Sequence, residues 1–250
     1  MFFKKAHHKS PGGNVSILYN RLANSGHLLI AGSTGSGKSV ALNGIIYTLL
    51  VTKTPEKASF ILCDPKRVEL VQYKSVPHCI CYASEPTEIL SALKSAVDIM
   101  ESRYKEMQYK KVKLYDGGVI YVIIDELADV MTTYRKQAEP LLTRLAQLGR
   151  AAKIHLIACS QNVLAATIPT TIKCNFPVIL GLRVSNRHNS RFLIDAPGCE
   201  LLPDPKSTGK GYGILKDGAN LEKWELLMIS DQEINAVIDY WSSKRCICYA

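Results

Sequence analysis

Gly32-Ser33-Thr34-Gly35-Ser36-Gly37-Lys38-Ser39 spells G-x-x-x-x-G-K-[ST] and directly follows the apolar run His27-Leu28-Leu29-Ile30-Ala31. The residues after Ser39 suit a helix. A strand that runs into a glycine-rich turn and then opens a helix is the setting in which such a loop binds phosphate. Its glycines let successive backbone N–H groups curl around the anion. Lys38 reaches the terminal phosphates, and the Ser39 hydroxyl is a ligand for Mg²⁺. The stretch Gly32, Ser33, Thr34, Gly35, Ser36, Gly37, Lys38 and Ser39 is therefore expected to cradle ATP with Mg²⁺. A glycine-rich surface turn would not need the strand before and the helix after.

Such a site needs a second, acid-bearing strand, and Val119-Ile120-Tyr121-Val122-Ile123-Ile124-Asp125-Glu126 supplies one. A continuous apolar run suits a strand buried on both faces of a parallel sheet, so its charges belong where it emerges at the carboxyl end. This reads as a Walker B strand. Asp125 is expected to support Mg²⁺ and Glu126 to orient and activate water. The alternative is an ordinary buried strand followed by a helix with an acidic first turn, which favours the helix dipole in any case. The phosphate loop decides for the functional reading, because an acid-terminated strand is what it requires.

At 250 residues and 47% hydrophobic the chain suits one α/β domain with a substantial core. No stretch approaches the roughly 18 uninterrupted apolar residues of a membrane span. The start, Met1 to Lys9, lacks the apolar core of a signal peptide. The chain reads as soluble and cytoplasmic, with no membrane contact of its own. Of its 8 cysteines, Cys63, Cys159 and Cys174 lie in or beside apolar runs. Cys79/Cys81 and Cys246/Cys248 are separated by one residue, too close for a usual zinc pair, so reduced thiols are expected.

The formal net charge of +9 points to a polyanionic partner. The basic residues gather in Lys4–Lys9, Arg103–Lys113, Arg183–Arg191 and Lys206–Lys210. Any one cluster is ordinarily a solvated face; together with an ATP site they favour nucleic acid.

Strand-like runs alternate with amphipathic segments. Ser59–Asp64, Lys153–Gln161 and Phe176–Arg183 read as further buried strands. Pro86 starts a helix whose stripe is Ile89, Leu93, Val97, Met100, Tyr104 and Met107, and Leu141, Leu142, Leu145 and Leu148 mark another that closes near Gly149. The alternation implies an α/β fold, a mostly parallel sheet with helices on both faces. Tyr212–Leu215 and Trp224–Ile229 read as a pair of antiparallel edge strands joined by Lys216–Asn220. Ser230-Asp231-Gln232-Glu233 reads as a capping box for a last helix with the stripe Ile234, Val237, Ile238 and Trp241. Flexible segments are expected in the first dozen residues, Tyr115–Gly118, Pro203–Gly213 and the last few residues.

His27–Ser39, Asp64-Pro65-Lys66 with Glu69-Leu70, Pro77-His78, Glu101-Ser102-Arg103-Tyr104 and Asp125-Glu126-Leu127-Ala128-Asp129 form an ordered series. It continues through Arg144-Leu145-Ala146-Gln147, Gly149–Ala152, Ile154-His155-Leu156, Asn189-Ser190-Arg191 with Asp195, and Gly198–Leu202. In order and spacing this series resembles the motor domain of the FtsK/SpoIIIE DNA translocases, from about Gly26 to the final helix. The charge pattern sets apart a basic flexible N-terminal segment, 1–14, and the resemblance implies a single RecA-like P-loop NTPase domain, 15–245. It further implies a homo-oligomer, usually a hexameric ring, that hydrolyses ATP to move double-stranded DNA. By position, Gln161 looks like the sensor at the end of its strand. An arginine finger would come from the neighbouring subunit, with Arg150 the first choice and Arg144 the second, because nothing in the sequence marks a cation of the same subunit aimed at the terminal phosphate.

The chain departs from the family in having only Lys105–Gly118 between the Arg103-Tyr104 helix and the Walker B strand. It also lacks membrane spans before the motor and a winged-helix module after it. A compact motor of a plasmid, phage or integrative conjugative element fits these departures better than a chromosome pump, as would a fragment of a longer protein. Two other functions compete: the protein-secretion branch of the same superfamily, and a nucleotide-dependent assembly module.

Overall fold

The computed structural model describes residues 7–10, 13–164 and 167–245. In chain order its elements are β1 (His7–Ser10), β2 (Gly13–Ser16), α1 (Ile17–Ala23), β3 (Leu28–Ala31), α2 (Lys38–Thr52), β4 (Ala58–Cys63) and β5 (Cys79–Ala83). There follow α3 (Pro86–Lys110), β6 (Val119–Ile124), α4 (Leu127–Leu148), β7 (Ile154–Ser160), α5 (Thr170–Lys173), β8 (Val178–Leu182) and α6 (Arg187–Ile194). The last elements are α7 (Pro205–Thr208), β9 (Gly211–Asp217), β10 (Asn220–Leu226) and α8 (Asp231–Arg245).

The apolar runs lie side by side in an eight-stranded sheet of order β10-β9-β8-β3-β7-β6-β4-β5. From β8 to β5 every pairing is parallel. Alternate residues of each central strand feed opposite cores, which is why the runs are apolar at consecutive positions. Leu29, Ala31, Ile120, Val122, Ile124, Leu156 and Ala158 face α3 and α4. Leu28, Ile30, Tyr121, Ile123, Ile157 and Cys159 face α1, α2 and α8. Each fully buried aliphatic side chain contributes about 1.5–3 kcal/mol, so this two-sided burial sets the order of the strands and hence what meets at their ends.

Local signals act as read at several points. α3 starts at Pro86, where Glu88 accepts from the backbone N–H of Glu85 at 3.1 Å and completes a capping box. Ser230 and Glu233 exchange the reciprocal bonds that open α8. All of Ile89, Leu93, Val97, Met100 and Met107 are buried, with Tyr104 packed against them.

Three expectations are corrected. The register pairs Asp217 with Asn220, so the hairpin turn is Gly218-Ala219 alone and both strands extend into the expected Lys216–Asn220 connection. Gly218, at φ +59°, supplies the left-handed residue that a two-residue turn requires. The pair does form the antiparallel margin of the sheet, with β10 outermost and β9 between β10 and β8, while β5 closes the opposite edge. Pro203–Gly213, expected as a loop, holds α7, which Asp204 caps by accepting from Lys206 N–H at 2.9 Å. The basic cluster at Arg103–Lys113 is partly turned inward. Arg103 donates to the carbonyls of Ala152 and Lys153 at 2.8 and 3.1 Å, and Lys110 pairs with Glu106 at 2.7 Å.

At the N-terminus β1 and β2 form a separate antiparallel ribbon that runs across position 14. Residues 1–6, 11–12 and 246–250, which carry parts of the expected flexible ends and Cys246/Cys248, lie outside the described residues. Among the described residues no helix is long and apolar enough to cross a membrane.

Candidate functional site

The carboxyl ends of β3, β7, β6 and β4 lie next to one another, and each delivers part of one site. The loop Gly32–Ser39 leaves β3 pinned on both sides: Gly32 N–H donates to Ser160 O of β7 at 3.1 Å, and Ser33 N–H to Arg183 O beyond β8 at 2.8 Å. Gly37 caps α2 at φ +100°, a conformation in which a side chain would be strained, and this points the first helical N–H groups into the loop. Lys38, the first residue of α2, is 5% exposed.

Lys38 Nζ donates to Asp125 Oδ1 at 2.6 Å and to Asp125 O at 2.8 Å. Burial opposes its charge, but the acidic groups around it, Asp125 and Glu126 among them, hold its pKa above the ordinary lysine value. Cys159 beside them is driven upward by burial and stays a neutral thiol. Glu126, 2% exposed, precedes α4 at its N-cap position, with its carboxylate turned away from the helix amides. Its Oε1 accepts the backbone N–H of Gln161 at 3.1 Å, and its Oε2 takes Lys66 Nζ at 3.2 Å. The Gln161 side chain in turn accepts from Thr34 Oγ1 at 3.0 Å. The structure thus brings Lys38, Asp125, Glu126 and Gln161 together around the phosphate loop.

Acidic groups that carried no role in the sequence reading complete one wall. Ser39 Oγ donates to Glu69 Oε1. Asp64, fully buried at the end of β4, accepts Leu70 N–H on Oδ2 at 2.9 Å, while Asp64 Oδ1 and Asp125 Oδ2 are buried without hydrogen-bond partners. Orphaned carboxylate oxygens beside a hydroxyl are the donor set that a hard, hydrated cation such as Mg²⁺ takes, so the residues fit that metal. Their only sequence signal was the Asp64-Pro65-Lys66 and Glu69-Leu70 motif.

The opposite wall carries two cations and an acid, Arg183, Lys206 and Asp204, and the Arg183 guanidinium turns to Asp204 rather than into the loop. Arg183 and Lys206 line a cleft of about 240 Å³ together with Ser33, Gly35 and Ser36.

Arg150 is placed elsewhere. It follows α4 at the amino end of β7 and runs beside Gly26, where a Cβ would stand 3.3 Å from its Nε. From there to Gly32 the chain crosses the whole of β3, roughly 20 Å at about 3.3 Å per residue. Arg144 is on α4, paired with Glu101 of α3 at 2.6 Å.

The FtsK/SpoIIIE family profile matches residues 11–120 and 117–164 of this chain. DNA translocase FtsK of Chlorobaculum tepidum is 36% identical over 247 residues, covering 90% of this chain. The Helicobacter pylori DNA translocase FtsK is 35% identical over 239 residues, covering 89%. The chain spans 30% and 27% of the lengths of those two proteins. Among solved structures, the pCW3 conjugation coupling protein TcpA, in a monomer form with ATPγS, superposes with a TM-score of 0.75 at 27% identity, covering 94% of this chain and 69% of that one. The type VII secretion ATPase EccC of Thermomonospora curvata shares the fold, with a TM-score of 0.73 at 21% identity over 95% of this chain and 30% of that one.

Proposed function

The chain belongs to the FtsK/SpoIIIE family, and from that premise we propose that it is the ATP-hydrolysing motor of a double-stranded DNA translocase. The observation that carries this reading is Glu126, a buried carboxylate held by the Gln161 N–H beside the phosphate loop. A module that only binds nucleotide, or assembles on it, has no use for such a group.

In this reading the loop amides and Lys38 hold the triphosphate. Lys38 Nζ has three N–H donors and gives two to Asp125, which leaves one for a phosphate oxygen. Ser39 and Asp125, with Asp64 and Glu69 behind them, would hold Mg²⁺. The ion, when bound, neutralises charge on the phosphates. Glu126 takes the proton of the attacking water, and Gln161 couples the state of Glu126 to the loop through Thr34. Arg150, a sheet length from its own loop, serves the site of the next subunit in a ring, probed below by mixing variants. Six subunits and a cytoplasmic setting are part of the same proposal, and the likeness to a conjugation coupling protein supports a conjugative or other mobile-element role.

The DNA partner is tested by duplex affinity across a salt series. Contacts from Lys and Arg to phosphates release counterions, so affinity falls steeply with salt and barely depends on sequence. A flat response, or no binding at low salt, would transfer the proposal to a polypeptide substrate.

A further inference from the structure

We propose that Asp204 is an electrostatic latch on the nucleotide site, holding Arg183 away from phosphate until a nucleotide competes for it. This rests on the reading of Gly32–Ser39 as a nucleotide site and assigns a second, cationic wall to it.

Arg183 is fixed to the loop by its backbone, through Ser33 N–H at 2.8 Å, but its guanidinium points to Asp204, Nη1 to Oδ2 at 3.0 Å. Lys206 stands over the same cleft, its Cε 3.7 Å from where a Cβ of Gly35 would be. The two oxygens of Asp204 have separate tasks: Oδ1 caps α7 and Oδ2 holds Arg183. Both partners of the ion pair are about two-fifths exposed, so it is weak by the measure of surface pairs. A polyphosphate beside the loop is a stronger, bidentate-capable acceptor for a guanidinium than one half-solvated carboxylate.

The walls of the loop therefore divide the work. Asp64, Glu69 and Asp125 on the β4–β6 side suit the metal. Arg183 and Lys206 on the β8–α7 side suit the phosphate oxygens turned away from it. When Arg183 changes partner, Asp204 keeps its cap but loses its tether, so that α7 reports nucleotide occupancy to the surface it lies on.

The test is a titration with fluorescent ATPγS. Asp204→Asn keeps the cap oxygen but replaces the guanidinium acceptor, so it tightens binding by about two- to fivefold, the scale of a surface ion pair. Arg183→Ala weakens binding by about tenfold, the scale of a charge-assisted hydrogen bond, and Arg183→Lys recovers part of the loss. In the Arg183→Ala background, Asp204→Asn changes nothing. Unchanged or weaker binding by Asp204→Asn, or a gain that persists without Arg183, overturns the latch. If Lys38→Ala loses binding while the Arg183 and Asp204 variants match the parent, the latch fails and the nucleotide reading stands. If the parent chain binds no ATPγS, both fall.

Discussion

The two ends of strands β3, β6 and β7 treat buried polar groups in opposite ways. At their carboxyl ends Lys38, Asp125 and Glu126 are buried with partners, and Asp125 keeps one oxygen without any. At their amino ends the polar groups are imidazoles kept neutral. His27, fully buried, accepts Leu156 N–H on Nδ1 at 2.9 Å, and burial, then His155 and Arg150, lower its pKa to about 3. His155, edge-on to it at 6.3 Å, is lowered to about 4, mainly by burial. Burying charge is costly unless a partner or ligand compensates it, whereas neutral rings pack like other aromatics. One end of the sheet therefore gathers incompletely partnered ionisable groups around the loop, and the other holds neutral rings, of which His27 Nε2 and His155 Nδ1 are likewise buried without hydrogen-bond partners. Arg150 belongs to this end, beside Gly26 and about a strand's length from the loop of its own subunit.

The largest break of this contrast is Lys38→Ala. It removes the phosphate ligand and leaves Asp125 buried and unpaired. Nucleotide affinity falls at least about a hundredfold, given several charge-assisted bonds lost. Turnover ceases, and stability drops by about 3–5 kcal/mol, the usual cost of orphaning one member of a buried pair. Isothermal titration and thermal melts check both, and near-parental melting would mean that the Lys38–Asp125 pair carries no structural weight.

Next come Arg150→Ala and Glu126→Gln, which separate the two ends. Arg150→Ala lowers turnover by about 10³-fold or more, the scale of an arginine finger, and leaves nucleotide affinity nearly unchanged. Glu126→Gln lowers turnover by about 10²- to 10³-fold and retains bound ATP unhydrolysed. Mixing the two inactive variants restores hydrolysis at interfaces that pair an intact Glu126 with an intact Arg150. A mixture no more active than its parts would place Arg150 in a purely structural role.

The smallest effect is on the amino end. His27 binds its proton far less readily folded than unfolded, with a pKa of about 3 against 6.5. Stability is therefore complete above pH 6.5 and is lost as pH falls below it, by at most about 1.4 kcal/mol per pH unit for this ring. Melting temperature should fall by several degrees between pH 8 and pH 5. A flat profile across that range would remove the neutral imidazoles from the account.

What could be read from sequence follows the same division between local and long-range determinants. The phosphate loop, the Walker B acids and the caps at Pro86 and Ser230–Glu233 are written in contiguous residues, and their physics is local. Gln161 was placed by the family resemblance, at the end of an apolar run. Arg183 and Lys206 were invisible as site residues because sequence does not encode that β8 lies beside β3, nor that α7 folds back over Gly35. Asp64 and Glu69 could be seen only as a motif, since their partners Leu70 and Ser39 identify them through geometry. Arg103 looked like surface charge because its two carbonyl partners lie about fifty residues along the chain.

The most direct test of the central claim is the rate of ATP hydrolysis by this chain with and without long linear duplex DNA, with the Glu126→Gln variant as control. The account predicts hydrolysis that duplex DNA stimulates severalfold or more, that rises with protein concentration as rings assemble, and that Glu126→Gln lowers by about 10²- to 10³-fold. Hydrolysis at one rate with or without DNA, independent of protein concentration, would contradict a ring motor acting on DNA.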